Sequence, residues 1–322
     1  MKYLVVGGAG FIGSHVARKL LQDPRTQRVR VFDNFSSGQR AFLAAVDGDP
    51  RLEIVEQDVA DLPALCRECR DTGTVFHFAS NPDIARAVNE PTIDFQQGTV
   101  LTQNVAEAAR VAGVARVIYA SGSGVYGEMA DQWYAEEPLA ARPISTYGAS
   151  KLAGEALLSS YAAMFGLRSY AFRFANVVGP NQTHGVGYDF LRKLRRDPRR
   201  LEILGDGTQT KSYIHVDDVV AAMLLLCSLD PGGYEVFNVS TDDFLTVTEI
   251  AQLAVTAASL SAAEVEFVYS GGDRGWKGDV PLVRISSAKL KALGWMPAFT
   301  AREAMRRALA AMTNPNDTPP RP

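Results

Sequence analysis

In the run STYGASKLAGE, Tyr147 and Lys151 stand four residues apart, so a helix presents them on one face. A tyrosine is a poor base at its ordinary pKa of about 10, but a neighbouring ammonium favours the phenolate. The pairing suits Tyr147 to remove the proton of a sugar or alcohol hydroxyl. Tyr-x-x-x-Lys also arises on ordinary helix surfaces, so its weight depends on what precedes it. Upstream lies YASGSGVYG, Tyr119 to Gly127, where an apolar run breaks into serines and glycines that would hold backbone or hydroxyls close to a ligand.

The elements that must position this pair begin at the N-terminus. VVGGAGFIGSH sets Gly7, Gly10 and Gly13 in a G-x-x-G-x-x-G spacing, with Phe11 and Ile12 between the last two, after a strand-like run and at the opening of a helix. Such glycines permit a tight turn and close approach of backbone to a pyrophosphate, whose charge the helix N-terminus stabilises. Asp33 closes the second strand-like run twenty residues after Gly13. Its carboxylate suits a ribose 2′-hydroxyl and would repel a 2′-phosphate, which favours NAD over NADP. The positive nicotinamide ring of NAD would add to the effect of Lys151 on Tyr147. Asp58 and Val59 follow the third run, where they would meet the adenine; Phe78, Ala79 and Ser80 follow the fourth, where they would line the ribose and pyrophosphate, since ligands of parallel sheets lie at the carboxyl ends of the strands.

Short apolar runs alternate with helical patterns from YLVVGG (3–8) to VARVIYASG (114–122), and LRSYAFRFANVVGP (167–180) supplies a further strand. This alternation predicts an α/β fold, a doubly wound parallel sheet of the NAD-binding Rossmann type, with a smaller mixed α/β substrate-binding domain. The expected division gives residues 1–176 and 208–240 to the NAD-binding domain and 177–207 and 241–312 to the other, with 313–322 a disordered tail lacking apolar residues.

At 322 residues with 47% hydrophobic and 21% charged residues, the composition is that of a globular protein. A net charge of −3 leaves no electrostatic footprint for nucleic acid, and the basic run Arg192–Arg196 reads as a solvated helix face. Apolar runs are too short for a membrane span and no signal-type segment precedes the first strand, so a cytoplasmic location is expected. Three cysteines, Cys66, Cys69 and Cys227, make no second pair for a metal site.

GGAGFIGSH, DNFSSG, YGASK, NVVGP, GDGTQ and YIHVDD together resemble the extended short-chain dehydrogenase/reductase family, specifically its NAD-dependent nucleotide-sugar epimerases and dehydratases. RFANVVGP, YDF, LRRDP, LEILGDGTQTKSYIHV and RGWKGDV are similar to the small archaeal-type UDP-galactose 4-epimerases. The resemblance implies that Tyr147 is the acid/base and that Lys151 binds the nicotinamide ribose and lowers the tyrosine pKa. It gives Asn34, Phe35, Ser36 and Gly38 to the adenosine half, Phe174 to the nicotinamide and Asn176 to the substrate diphosphate. The nucleotide would lie against Leu191, Ile203, Leu204 and Gly205, with Asp279 on its ribose. Lys211 stands where the family has an arginine on the diphosphate; Trp276 replaces a second arginine, so Arg274 would supply that charge. A homodimer through helices around Thr102–Val111 and Tyr147–Phe165 is also implied.

Departures from the pattern are informative. The catalytic serine or threonine of the family falls on Gly122, so Ser123 or a water would assist Tyr147, while Ser121 would meet the cofactor through its backbone. The dehydratases carry an Asp-Glu pair at the positions of Ser123 and Gly124, and its absence argues for 4-epimerisation through a transient 4-keto sugar. Gly98 replaces an asparagine near the pyrophosphate, which would weaken NAD retention. His184 would shape the loop after NVVGP. Arg192, if turned inward, would suit a C6 carboxylate, giving a slight preference for UDP-glucuronate/UDP-galacturonate over UDP-glucose/UDP-galactose. A non-catalytic NAD-binding protein is the alternative from another class.

Overall fold

A computed structural model describes residues 1–130, 132–137, 142–275 and 279–313; Trp276 and the expected tail from 314 on lie outside them. Along the chain run β1 (Lys2–Val6), α1 (Phe11–Leu21), β2 (Arg28–Asp33), β3 (Leu52–Glu56), α2 (Leu62–Cys69), β4 (Thr74–His77), α3 (Leu101–Ala112), β5 (Arg116–Gly122), α4 (Thr146–Phe165) and β6 (Arg168–Phe174). Then follow β7 (Asn176–Val178), α5 (Val186–Arg196), β8 (Arg200–Ile203), β9 (Thr210–Lys211), β10 (Tyr213–His215), α6 (Val216–Leu229) and β11 (Tyr234–Val239). Last come β12 (Leu245–Thr246), α7 (Val247–Ala257), β13 (Glu266–Tyr269), β14 (Leu282–Val283), α8 (Ala288–Ala292) and α9 (Ala301–Thr313).

The chain divides into two compact units: residues 1–125, 146–173 and 220–237 form one, and the described residues of 126–145, 174–219 and 238–313 the other. Residues 126–145, 174–176, 208–219 and 238–240, given to the NAD-binding domain from the sequence, pack with the second unit.

The first unit carries a seven-stranded sheet in the order β11-β6-β5-β4-β1-β2-β3. The pairings β1–β2, β2–β3, β1–β4 and β4–β5 are all parallel. Strand order reverses between β1 and β4, the place where a doubly wound sheet opens a crevice at its carboxyl edge. Leu4, Val6, Phe32, Val75, Val105, Val117 and Leu158 are fully buried in its core; each such side chain contributes roughly 1.5–3 kcal/mol by leaving water. β4 is buried at every residue, as a parallel strand covered on both faces is, and its polar His77 is bonded to Thr102.

The run 167–180 is not one strand. β6 ends at Phe174, and β7 pairs instead with β10 in a separate two-stranded sheet of the second unit. That unit is built on a core of Leu191, Leu201, Ile203, Tyr213, Ile250, Ala254 and Met305. α5 turns Phe190, Leu191 and Leu194 inward and leaves Arg192, Arg195 and Arg196 exposed, the solvated basic face expected of the 192–196 run.

Candidate active site

The turn after β1 is shaped by atoms that leave no room for side chains. A Cβ on Gly7 would stand 2.6 Å from the backbone nitrogen of Ala79, and one on Gly13 would stand 2.3 Å from the carbonyl oxygen of Gly7. Gly7 also takes a positive φ of 76°, which only glycine adopts freely. The loop after β4, carrying Phe78, Ala79 and Ser80, therefore presses directly on the glycine turn. α1 starts at Gly10 with no side-chain cap and no acidic residue in its first turn, so its opening N–H groups, at Phe11, Ile12 and Gly13, point their dipole at whatever anion enters.

Asp33 is buried at the end of β2 and accepts the Ala9 N–H on Oδ2 at 2.9 Å and the Phe35 N–H on Oδ1 at 2.8 Å. Burial pushes its carboxyl up, and the two N–H bonds pull it back. A Cβ on Gly38 would meet Asp33 Oδ1 at 2.9 Å, so the 34–38 loop folds over this carboxylate. Asn34 donates to Asp58 at 2.8 Å and accepts the Ser36 N–H, while Asp58 Oδ1 accepts the Ala60 N–H beyond Val59. A pyrophosphate cradle without side chains and a carboxylate beside it with lone pairs to spare fit a dinucleotide with a free ribose hydroxyl.

Tyr147 and Lys151 lie on one face of α4 as their spacing requires. The Lys151 Nζ stands 5.3 Å from the ring centroid of Tyr147 and 5.3 Å from that of Tyr119 on β5, and donates to the Ala120 carbonyl at 2.8 Å. Burial brings the Lys151 ammonium down to about 8, against which the Asp94 carboxylate acts. Burial lifts Tyr147 to about 12, and Asp94 adds to the rise. Desolvation dominates at Tyr147, with the Lys151 ammonium over its ring.

Around the end of β5, Ser121 turns its hydroxyl to Glu155 at 2.5 Å, and Glu155 is held in a buried ion pair by Arg173 at 2.6 Å. That side chain serves the core. Gly122 faces open space, with nothing within 4 Å of a Cβ placed there. Ser123 begins a single turn of 3-10 helix ending at Tyr126, and Gly124 packs against Gly148 and the Tyr147 ring, at 3.5 and 3.9 Å from its Cβ position. Gly98 is buried against α4: a Cβ there would meet Ser150 Oγ at 2.5 Å, so a side chain at this position would press on Ser150.

The substrate-side expectations fall on the second unit and fare unevenly. Leu191 and Ile203 are core residues, 2% and 0% exposed, whereas Leu204 is 45% exposed; Leu204 is the side chain of that group open to a nucleotide, Gly205 being buried below it. Lys211 and Asp279 form an ion pair, Asp279 also accepts the Gly275 N–H, and Arg274 pairs with Glu128. Asn176 donates its amide to the Ser212 carbonyl, and Phe174 is buried. His184 accepts from Gln182 through its backbone, in the loop after β7. Arg192 corrects its expected role: its side chain is 71% exposed and pairs with Asp189 one helical turn earlier at 3.0 Å, because the buried stripe of α5 runs through Phe190, Leu191 and Leu194. Asp94 and Asn81, which bear on the Tyr147–Lys151 pair, were invisible in the sequence because only the fold brings them there.

A family model described as "NAD dependent epimerase/dehydratase family" matches residues 3–240. The chain belongs to this family. NAD is accordingly its cofactor, in keeping with the glycine cradle and Asp33. A UDP-glucose 4-epimerase of Mycolicibacterium smegmatis is 33% identical over 98% of this chain and 99% of its own. Among solved structures, a UDP-galactose 4-epimerase superposes with a TM-score of 0.86 at 38% identity, covering 97% of this chain and 98% of its own. A dTDP-glucose 4,6-dehydratase from Streptomyces venezuelae, solved with NAD bound, gives 0.89 at 29% identity over 98% of each chain. The family fold thus hosts more than one reaction, and residues must decide between them.

Proposed function

We propose that the protein is an NAD-dependent UDP-sugar 4-epimerase, with UDP-glucose and UDP-galactose as its pair. The observation that carries the reading is the end of β5: Gly124 lies against Tyr147, and Ser123 and Gly124 offer no carboxylate where a dehydratase needs two. The epimerase relatives support the nucleotide and the sugar pair. The exposed, ion-paired Arg192 removes the residue on which a preference for UDP-glucuronate rested.

In this reading Tyr147, as phenolate, takes the proton of the sugar 4-hydroxyl and later returns it, and Ser123, at the start of the turn after β5, assists. Bound against Gly7, Gly10, Gly13 and Asp33, NAD supplies the hydride acceptor and donor for a transient 4-keto sugar, and its positive ring favours the phenolate that burial opposes. Lys151 holds the nicotinamide ribose with the donors left over from Ala120. Lys211 and Asp279 would give up their mutual pair to bind the diphosphate and nucleoside ribose, and Leu204 would cover the base. The first unit is thus the NAD-binding domain and the second the UDP-sugar domain. A homodimer through α3 and α4 is part of the proposal, supported by the exposed Val111, Met164 and Phe165 on those helices. NMR of products from UDP-glucose, UDP-galactose and UDP-glucuronate tests the reading: interconversion of the first two supports it. Turnover of UDP-glucuronate alone overturns the substrate, and no turnover of any makes the chain a non-catalytic NAD binder.

A further inference from the structure

Asp94 is 1% exposed, yet neither the glycine cradle nor the Tyr147–Lys151 chemistry described above requires it. Its Oδ1 accepts from the Asn81 amide at 2.8 Å, and its Oδ2 accepts from the Thr146 hydroxyl at 2.6 Å. Asn81 is itself 2% exposed and locked in place: its amide also donates to the Asp83 carbonyl at 2.9 Å, and its oxygen accepts the Asp83 N–H at 3.0 Å. Asn81 follows Ser80 in the loop that presses on Gly7; Thr146 opens α4 and precedes Tyr147. One carboxylate therefore joins the wall of the cofactor cradle to the first turn of the catalytic helix. A buried carboxylate satisfied by two side-chain donors is costly to retain without purpose, since desolvation of the charge opposes folding.

We infer that Asp94 is a positioning residue, a clamp that fixes the β4 loop against the start of α4 and sets the electrostatic field at Tyr147 and Lys151. The inference deepens the epimerase reading and rests on it for the second half only. Of the groups packed about the pair, Tyr119 on β5 and His77 on β4 are both buried and neutral: burial raises the first and lowers the second to about 3. Glu155 on α4 is paired to Arg173, Glu107 on α3 to Arg110, and Arg86 in the turn at 84–88 to Glu90. Asp94, hydrogen-bonded to Thr146 immediately before Tyr147, opposes the loss of a proton from both Tyr147 and Lys151.

Three variants separate clamp from charge. Asp94→Asn keeps both hydrogen bonds, since its oxygen can accept from Asn81 and its amide can donate to Thr146, but it removes the charge. Asp94→Ala removes both, and Thr146→Val removes one bond and leaves the charge. NAD affinity is measured calorimetrically without substrate, and the pH profile of kcat with UDP-galactose. Asp94→Ala should weaken NAD about tenfold, the effect of losing roughly one charge-assisted hydrogen bond, with Asp94→Asn within about threefold of wild type. In Asp94→Asn the centre of the pH profile, the mean of its two limbs, should move down by about one unit, because both pKa values lose the contribution of the same neighbouring anion; in Thr146→Val it should stay in place. An NAD affinity unchanged in Asp94→Ala overturns the clamp, and an Asp94→Asn profile that overlays wild type or moves up overturns the charge. If wild type turns over no UDP-sugar, the epimerase reading fails while the NAD arm still decides the clamp.

Discussion

At Gly122, where the family resemblance implies a hydroxyl beside the tyrosine, the space for one is open. Gly122→Ser should therefore fold normally and raise kcat by about tenfold, the lower end of a positioned acid/base contribution; steady-state kinetics checks this, and Gly122→Ser,Ser123→Ala shows whether the new hydroxyl replaces the neighbouring one. No gain would mean that Tyr147 meets the sugar without a relay. Residues whose role follows from chain neighbours, such as Gly7, Gly13, Asp33 and the Tyr147–Lys151 pair, were legible because their spacing is itself the geometry. Whether Arg192 turned inward or outward was open in the sequence, because it depends on which face of α5 is buried. Asp94 was missed because its partners lie 13 and 52 residues away, a distance no local pattern spans.

Between elements one close constraint is the approach of α4 to the segment before α3. That segment, Phe95–Val100, is a π-helical turn, and Gly98 within it meets Ser150, whose hydroxyl in turn donates to the Tyr147 carbonyl at 3.0 Å. Gly98→Ala should cost about 1–3 kcal/mol by overpacking and disturb the turn carrying Tyr147. Chemical denaturation measures the loss, and a second change, Ser150→Ala, should recover most of it; full stability in Gly98→Ala alone would contradict this packing. Elements of the sheet were readable from alternating apolar runs and helical patterns. The break at Ala175 was not, because RFANVV contains no glycine, proline or turn pair to mark where β6 ends and β7 joins β10.

For the molecule as a whole, cofactor binding and stability are linked. NAD at about a hundred times its Kd should stabilise the folded chain by roughly 2.7 kcal/mol, visible as a rise in Tm. NADP at the same concentration should give much less, because its 2′-phosphate meets the buried Asp33 carboxylate; an equal rise would contradict the cofactor assignment at β2. Residues 126–145, 174–176, 208–219 and 238–240 pack with the second unit, which a linear reading of motifs does not reveal.

The central claim is that one bound NAD serves turnover after turnover while the sugar is inverted at C4. The direct measurement is NMR of UDP-galactose incubated with enzyme and an equal concentration of NAD, beside Tyr147→Phe. UDP-glucose exceeding NAD by a hundredfold or more, with turnover about 100-fold or more slower in the variant, is the predicted result. Product capped at the amount of NAD, or a 4-keto-6-deoxy sugar in place of UDP-glucose, would contradict it.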